Sequence, residues 1–299
     1  MFYNKKDKER VYKVKIIDRL QEDKITLSFE VFPPKYSKNY DAVSQKALEI
    51  AKLHPDFMSV TYGAGGGTSE YTVNIAKEIQ QREGVDVLAH LTCVSSTKEK
   101  VHNMLEIFKA NGIENIMALR GDLPDGETPH HYEHASELIK EIKAFDPNFC
   151  IGGACYPEGH PEAHNKNVDI ENLKKKIDAG CDFLTSQMFF DNAIFYNFLF
   201  RAREAGIQVP IVAGIMPITR KEQVKRAIQL SGSSVPGRFV SMVDAFGDNE
   251  PAMKQAGIIY ATEQITDLIA NGVKHIHVYT MNKPDVAKGI MDNLSEILK

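Results

Sequence analysis

The chain has 299 residues, 43% of them hydrophobic, and 36 basic against 40 acidic side chains give it a net charge of −4. That length buries a large core in one or two domains, and the mild acidity excludes nucleic acid as the main partner, because phosphate backbones demand a concentrated basic surface. No apolar run approaches the roughly 20 residues that span a bilayer, and the longest, around Ile211–Ile218, contains a proline, so no membrane partner is expected.

The first ten residues, Met1 to Arg10, carry no apolar segment of the kind a secretion signal needs. Residues 1–24 are read as a helical extension preceding a single domain over 25–299. From there short β-rich runs alternate with longer amphipathic ones. The runs are Ile25–Phe32, Phe57–Tyr62, Val85–Val94, Asn115–Arg120, Phe149–Tyr156, Asp182–Phe190, Val209–Met216 and His275–Met281. Helical patterns such as Asp41–Leu53, Thr97–Ala110 and Asp169–Ala179 fall between them, and Gly112, Gly180, Gly206 and Gly272 stand where a left-handed helix stop is wanted. This alternation predicts an α/β fold, a (β/α)8 TIM barrel. The interval Ser231–Asn271 is too long for one helix and reads as an extra helical element before the last strand. A doubly wound sheet is the second choice, but no Gly-x-Gly-x-x-Gly follows the first strand.

In such a barrel alternate strand residues face the lumen, and chemistry gathers at the C-terminal strand ends. Leu27, Phe29 and Val31 form the outward face of the first strand, which turns Thr26, Ser28 and Glu30 inward. In the second strand Ser59 and Thr61 face in. Polar residues thus converge on one mouth: Glu30, Thr61, His90, Arg120, Asp122, Tyr156 and Gln187. A ligand site is expected there. A glutamate on an apolar strand loses solvation, which raises its pKa and suits it to donate a proton. Asp122 follows Arg120, whose guanidinium is expected to hold it ionised. A carboxylate pair of this kind also serves retaining glycoside hydrolysis, the alternative chemistry; against it, the chain has no tryptophan for a sugar platform.

The loop Gly63-Ala-Gly-Gly-Gly-Thr68 lets backbone amides approach a phosphate or a flat ring but lacks the Lys-Ser/Thr ending of a P-loop. His130, His131, His134, His160 and His164 have helix-like spacing, yet no cysteine or carboxylate cluster completes a ligand set, and no metal is expected. The four cysteines, 93, 150, 155 and 181, include no Cys-x-x-Cys. Cys150 and Cys155 lie five apart on one strand, hence on opposite faces. Free thiols and a cytoplasmic location are expected.

Several longer motifs carry a resemblance. Ser28-Phe-Glu-Val-Phe-Pro-Pro34, Ser59-Val-Thr-Tyr-Gly-Ala64, His90-Leu-Thr-Cys93 and Ala118-Leu-Arg-Gly-Asp-Leu-Pro124 are similar to those of methylenetetrahydrofolate reductases. So are Tyr156-Pro-Glu-Gly-His-Pro-Glu-Ala163, Gln187-Met-Phe-Phe-Asp191 and Gly214-Ile-Met-Pro217. The order and spacing match from about residue 25 onward.

The resemblance implies a (β/α)8 barrel holding FAD and a hydride relay of one-carbon metabolism and methionine biosynthesis. NAD(P)H, as NADH or NADPH, reduces the flavin and leaves; 5,10-methylenetetrahydrofolate then takes its place and becomes 5-methyltetrahydrofolate. It implies that Glu30 is the general acid that opens the folate's five-membered ring. Asp122 would stabilise the resulting cation, and Gln187 would hold folate and nicotinamide in turn. FAD contacts carry over to Thr61, Tyr62, Ala64, His90, Arg120, Gly121, Asp122, His134, Ala135 and Tyr156. The rest of that set is His160, Ala163, Asp169, Asn172, Lys175 and Lys176, while Pro217 and Lys283 join Asp122 and Gln187 around the substrate. The glycine loop would then lie beside the flavin. The resemblance further implies a barrel without the regulatory domain of eukaryotic members and a homo-oligomer.

Two positions depart from the family pattern. Thr219-Arg-Lys-Glu222 offers no phenylalanine to stack on substrate. Lys283 stands in place of an arginine, keeping the charge but losing the bidentate fork.

Overall fold

A computed structural model describes residues 14–62, 69–94, 96–122, 131–232 and 234–299. Eight parallel strands close into a barrel in the order of the chain: β1 (Thr26–Val31), β2 (Phe57–Val60), β3 (Asp86–Thr92), β4 (Asn115–Leu119), β5 (Cys150–Cys155), β6 (Phe183–Ser186), β7 (Ile211–Ile215) and β8 (His275–Tyr279). Closure is completed by β1 on β8, with Glu30 opposite Tyr279 and Ser28 opposite His277. The doubly wound alternative is thereby excluded.

Helices α1 (Ile16–Gln21), α2 (Tyr40–Ala51), α3 (Ser69–Glu83), α4 (Lys98–Ala110), α5 (Ala135–Phe145), α6 (Lys166–Asp178), α7 (Asn192–Glu204) and α8 (Glu222–Ser231) lead to the irregular interval. There the chain adds two helices, α9 (Gly237–Phe246) and α10 (Glu250–Ala270), before β8, and α11 (Pro284–Asn293) closes the ring. The predicted helix stops hold: Gly112, Gly180, Gly206 and Gly272 all have positive φ, between 67° and 108°.

Strand alternation sorts the core into two layers. Leu27, Phe29 and Val31 of β1 and Met58 and Val60 of β2 join the large outer cluster between strands and helices. Phe57, Leu88, Met117, Cys150, Phe183 and Val212 fill the lower lumen, and Ile16 and Leu20 of α1 plug it from below. The plug is tied in place. The Ile16 N–H donates to Asn115 Oδ1 at 2.9 Å, and Arg19 pairs with the buried Asp86. Cys150 belongs to the inner layer and Cys155 to the outer, as the strand period requires, and all four cysteines are buried and free.

No helix among the described residues is long and apolar enough to cross a membrane.

Candidate active site

Above the apolar plug the lumen turns polar. Ser28, Ser59 and His277 are almost wholly buried, and Glu30 lies over them. The backbone under Glu30 is clamped by the chain just after β8. Thr280 Oγ1 donates to the Glu30 carbonyl at 2.7 Å, while the Asn282 amide accepts from the Phe32 N–H and donates to the Phe32 carbonyl. Making that clamp puts Met281 and Asn282 at φ 54°, in the left-handed region where side chains are uncommon. The site-facing position of Glu30 is thus fixed from two strands.

The mouth opens into a cavity of about 1180 Å³. Two sectors of its wall differ in character. From β1, β2, β3 and β8 come Glu30, Ser59, His90 and His277, with Tyr62 at the rim. From β4, β5 and α6 come Arg120, Gly121, Asp122, Tyr156, Asp169, Asn172, Lys175 and Lys176, joined by His134 and Ala135 at the start of α5 and by His160 and Ala163 after β5. Gln187 follows β6 on the same wall. Its Oε1 accepts from the Met188 N–H, which leaves the amide N–H2 as the donor it offers. Thr61, Pro217 and Lys283 lie off this wall; Lys283 Nζ donates to Thr219 Oγ1 at 2.6 Å. Ala64, with the loop 63–68, lies outside the described residues.

The electrostatic expectation for Glu30 is overturned. Burial does push Glu30 upward and is the largest single influence on it. The His277 contact, the charges of His90 and His277 and the Ser59 hydrogen bond together pull harder, so the carboxyl sits below its ordinary range. An apolar strand therefore does not decide this group; its polar neighbours do. The Arg120 guanidinium grips Glu162 in a two-pronged pair, Nη1 to Oε2 at 2.6 Å and Nη2 to Oε1 at 2.7 Å, and also feels the charge of Asp122. Asp122 is exposed at the rim.

His90 is buried, with Nε2 3.6 Å from Glu30 Oε2. Burial lowers it to about 4, against the opposing pull of Glu30, so at neutral pH the imidazole is uncharged. Lys176 is likewise held below the lysine range by burial, and its Nζ has a neutral partner, the Ala154 carbonyl at 2.7 Å. A desolvated ammonium that donates to a neutral carbonyl suits an anionic ligand. Gly121 has φ 86°, and a Cβ there would meet Val94 Cγ1 at 2.7 Å, so only glycine lets the end of β4 press this closely on the end of β3. Cations in one sector, a broad cavity and an acid–imidazole group in the other fit a long anionic cofactor with a flat ring. Among the described residues no group of three or more His, Cys, Asp or Glu could hold a metal ion.

The alternation that exposed Glu30 and Ser59 in the sequence also runs through His275-Ile-His-Val-Tyr279, and read at period two it would have placed His277 and Tyr279 in the lumen. Glu162 and the α4 residues Lys100 and Asn103, which also line the cavity, carry no comparable signal.

A closed parallel barrel with its polar groups at the C-terminal mouth is the architecture of a (β/α)8 enzyme. The model of the family "Methylenetetrahydrofolate reductase" matches residues 15–295, and the chain belongs to that family. It is 36% identical over 277 residues to the 5,10-methylenetetrahydrofolate reductase of Escherichia coli, covering 91% of this chain and 92% of that one. It is 35% identical over 298 residues to methylenetetrahydrofolate reductase (NADH) 1 of Zea mays, covering 95% of this chain and 50% of the maize protein. The chain thus spans about half the length of the plant relatives it matches. Among solved structures, the fold is similar at TM-score 0.68 and 12% identity to a Clostridium thermocellum protein described as binding two copies of 5-methyl-5,6,7,8-tetrahydrofolic acid. That likeness covers 95% of this chain and 99% of the other. Family membership removes the ground for a glycoside hydrolase. So does the Glu30 carboxyl, which is lowered where a glycosidase acid is raised.

Proposed function

We propose that the chain catalyses the NAD(P)H-dependent reduction of 5,10-methylenetetrahydrofolate to 5-methyltetrahydrofolate in the cavity above Glu30, with FAD as its cofactor. The observation that carries the reading is the carboxyl group of Glu30, set over a buried serine–histidine pair at the barrel mouth of a chain that belongs to this family. Arg120, Lys175 and Lys176 would take the anionic part of FAD, while His90, Tyr62 and Gly121 would flank its ring. When bound, FAD supplies the two-electron chemistry that carries a hydride from nicotinamide to folate.

The protein's own share is acid–base and electrostatic. Glu30 protonates the bridging nitrogen of the folate, so that the five-membered ring opens to a cation. Asp122 at the rim offers that cation a counter-charge. Gln187 directs its amide at whichever ring, nicotinamide or pterin, occupies the mouth. Because Glu30 lies below its ordinary range, it must gain a proton before it can give one. A pterin seated over the mouth strips water from the carboxylate and favours that change. The four free, buried cysteines suit a reducing cytoplasm.

The test is spectroscopic. Purified protein should be yellow, should bleach with NADH or NADPH in the absence of oxygen, and should regain its colour on adding methylenetetrahydrofolate. Protein that binds no flavin, or that bleaches but is not reoxidised by the folate, would sink this reading.

A further inference from the structure

The geometry beneath Glu30 identifies where its proton comes from. Ser28 Oγ donates to the Ile276 carbonyl at 3.0 Å, so its oxygen meets Nδ1 of His277, 2.8 Å away, as an acceptor. Nδ1 therefore carries a proton. Across the ring, Nε2 lies 3.1 Å from Ser59 Oγ, and that same oxygen lies 3.2 Å from Glu30 Oε2. A hydroxyl has one proton to give, so two arrangements satisfy both contacts. In the first, Glu30 is ionised, Ser59 donates to it, and Nε2 donates to Ser59, which makes His277 an imidazolium. In the second, Glu30 is protonated and donates to Ser59, which donates to a bare Nε2. Both hold the same number of protons.

We propose that Glu30, Ser59 and His277 form one proton-storing file, in which the proton destined for substrate rests on His277 and passes through Ser59 Oγ to Glu30 when a pterin covers the mouth. The inference rests on the folate reading above. In the transfer the His277 Nε2–H bond breaks as a Ser59 O–H bond forms, and the original Ser59 O–H bond breaks as a Glu30 O–H bond forms. The carboxyl group then turns that proton to the substrate nitrogen, leaving a carboxylate and a neutral imidazole. No electrons move, and solvent restores the proton after the folate leaves. Covering the mouth drives the shift, because a buried ion pair loses more solvation than the neutral pair it becomes.

The surroundings support the assignment. The His277 ring is held by Phe57, stacked at 5.9 Å between centroids, and by the edge of Tyr279 at 5.4 Å, so it keeps both serine contacts. The other titratable groups near the file are His90 from β3 and Tyr279 on β8, with Tyr156 and, on the outer face of β5, Cys155 beyond Tyr279; β7 presents Gly214, which carries no charge. Tyr279 donates its hydroxyl to the Ser186 carbonyl, and Tyr156 and Cys155 are pushed up by burial, so all three stay protonated at neutral pH. His90 is not the store, since burial leaves it neutral above about pH 4 and at 3.6 Å it is beyond hydrogen-bond range of the carboxylate. His277 and Ser59 are thus positioning residues that act through Glu30.

The experiment uses the flavin-bound protein, its Ser59→Ala and His277→Gln variants and the double variant. Stopped flow gives the two half-reactions between pH 5 and pH 9. Cutting the file should lower the ratio of folate reduction to flavin reduction by roughly tenfold or more. It should also move the alkaline limb of the folate half-reaction, because the proton is then lost from Glu30 alone and no longer from the file, whose His277 and Ser59 contacts set the affinity of Glu30. The double variant should be no worse than the poorer single one. Nitrogen NMR of histidine-labelled wild type at pH 7 should show His277 protonated on both nitrogens, and Glu30→Gln should leave it neutral with the proton on Nδ1. Equal losses in both half-reactions, an unmoved pH limb, or a His277 neutral in wild type and indifferent to Glu30→Gln would each overturn the proposal. Wild-type protein inert toward methylenetetrahydrofolate would instead fail the functional reading, with the NMR result still deciding the proton file.

Discussion

The two ends of the barrel lumen are built from the same strands and have opposite chemistry. At the N-terminal end β2, β3, β4, β5, β6 and β7 contribute Phe57, Leu88, Met117, Cys150, Phe183 and Val212, closed by Ile16 and Leu20 of α1. A strand position further up, β2 turns Ser59 inward, and β1 and β8 supply Ser28, Glu30 and His277. What differs is how each end satisfies burial. The lower end buries mostly carbon; Thr26 and His275 satisfy each other at 3.0 Å, and the Asn115 amide is consumed by tying down α1 and the Val87 carbonyl. The upper end buries polar groups in a connected chain of hydrogen bonds, where each member constrains the protonation of the next. Stability and chemistry are therefore separable along one axis, and substitutions at the two ends should fail in different ways.

The largest expected effect is at the top. Glu30→Gln keeps the side chain's shape and its contact to Ser59 but removes the acid. Folate reduction should fall by roughly 10² to 10⁴-fold, with flavin reduction by the nicotinamide changed far less and the melting temperature close to wild type. Single-turnover kinetics of each half-reaction check it. Matching losses in both would make Glu30 a structural residue.

At the bottom, Phe183→Ala deletes a fully buried ring from the lumen layer, against which Gly152 packs so closely that a Cβ there would lie 2.7 Å from it. Large-to-small changes of this kind cost about 3–5 kcal/mol. Denaturant unfolding should show that loss, while protein that remains folded at low temperature keeps the wild-type ratio of the two half-reactions. A variant of wild-type stability with a damaged folate step would abolish the separation of the two ends.

How far this division is legible in the sequence depends on which force sets each feature. Strand order, the helix stops and the inward set Thr26, Ser28, Glu30 follow from period-two alternation and glycine placement, which act locally. Cys150 and Cys155 parted into inner and outer layers for the same reason. The protonation of Glu30 was not legible, because it is decided by residues from β2, β3 and β8 that only closure brings together: Ser59, His90 and His277. His277 was within reach of the same alternation that gave Ser59. The Arg120–Glu162 pair was not, since Glu162 sits in a loop whose path has no period to read. Lys283 is of another kind, a residue carried over by resemblance alone; its ammonium donates to Thr219 Oγ1, beside the cavity wall and not on it.

A third prediction sharpens the contrast through pH. His90 titrates at about 4 in the fold against an ordinary 6.5, so between those values the unfolded chain binds the proton that the folded one refuses. Stability is therefore full above about pH 6.5 and falls as the pH drops toward 4. The depressed carboxyl of Glu30 acts with the same sign, being stable when ionised and losing that stabilisation in acid. His90→Asn should reduce the fall in melting temperature between pH 7 and pH 4.5, whereas an alteration in the apolar lower lumen should shift melting equally at both. An unchanged acid dependence in His90→Asn would mean that the imidazole titrates near its ordinary value and is not desolvated by the barrel.

The smallest effect expected is at the cation sector, and it runs toward tighter binding. Arg120 is mostly covered, whereas Glu162, which holds its guanidinium by two hydrogen bonds, is largely exposed. An anionic ligand that reaches for Arg120 must first displace that carboxylate or share the guanidinium with it. The pair is solvent-facing on the Glu162 side, and such ion pairs are worth about 0.2–1 kcal/mol. Releasing Arg120 by Glu162→Gln should therefore tighten flavin binding by about 1.5- to 5-fold, read from quenching of flavin fluorescence as apoprotein is added. The gain should shrink with added salt, because the competing contact is screened together with the ligand's own charge. Lys176→Met is the control of opposite sign, since it removes a cation that donates to a carbonyl and faces no carboxylate competitor in a hydrogen bond. Weaker binding in Glu162→Gln would show that the carboxylate holds Arg120 in the posture the cofactor needs, and that this sector is preorganised in the same manner as the acid end above His277.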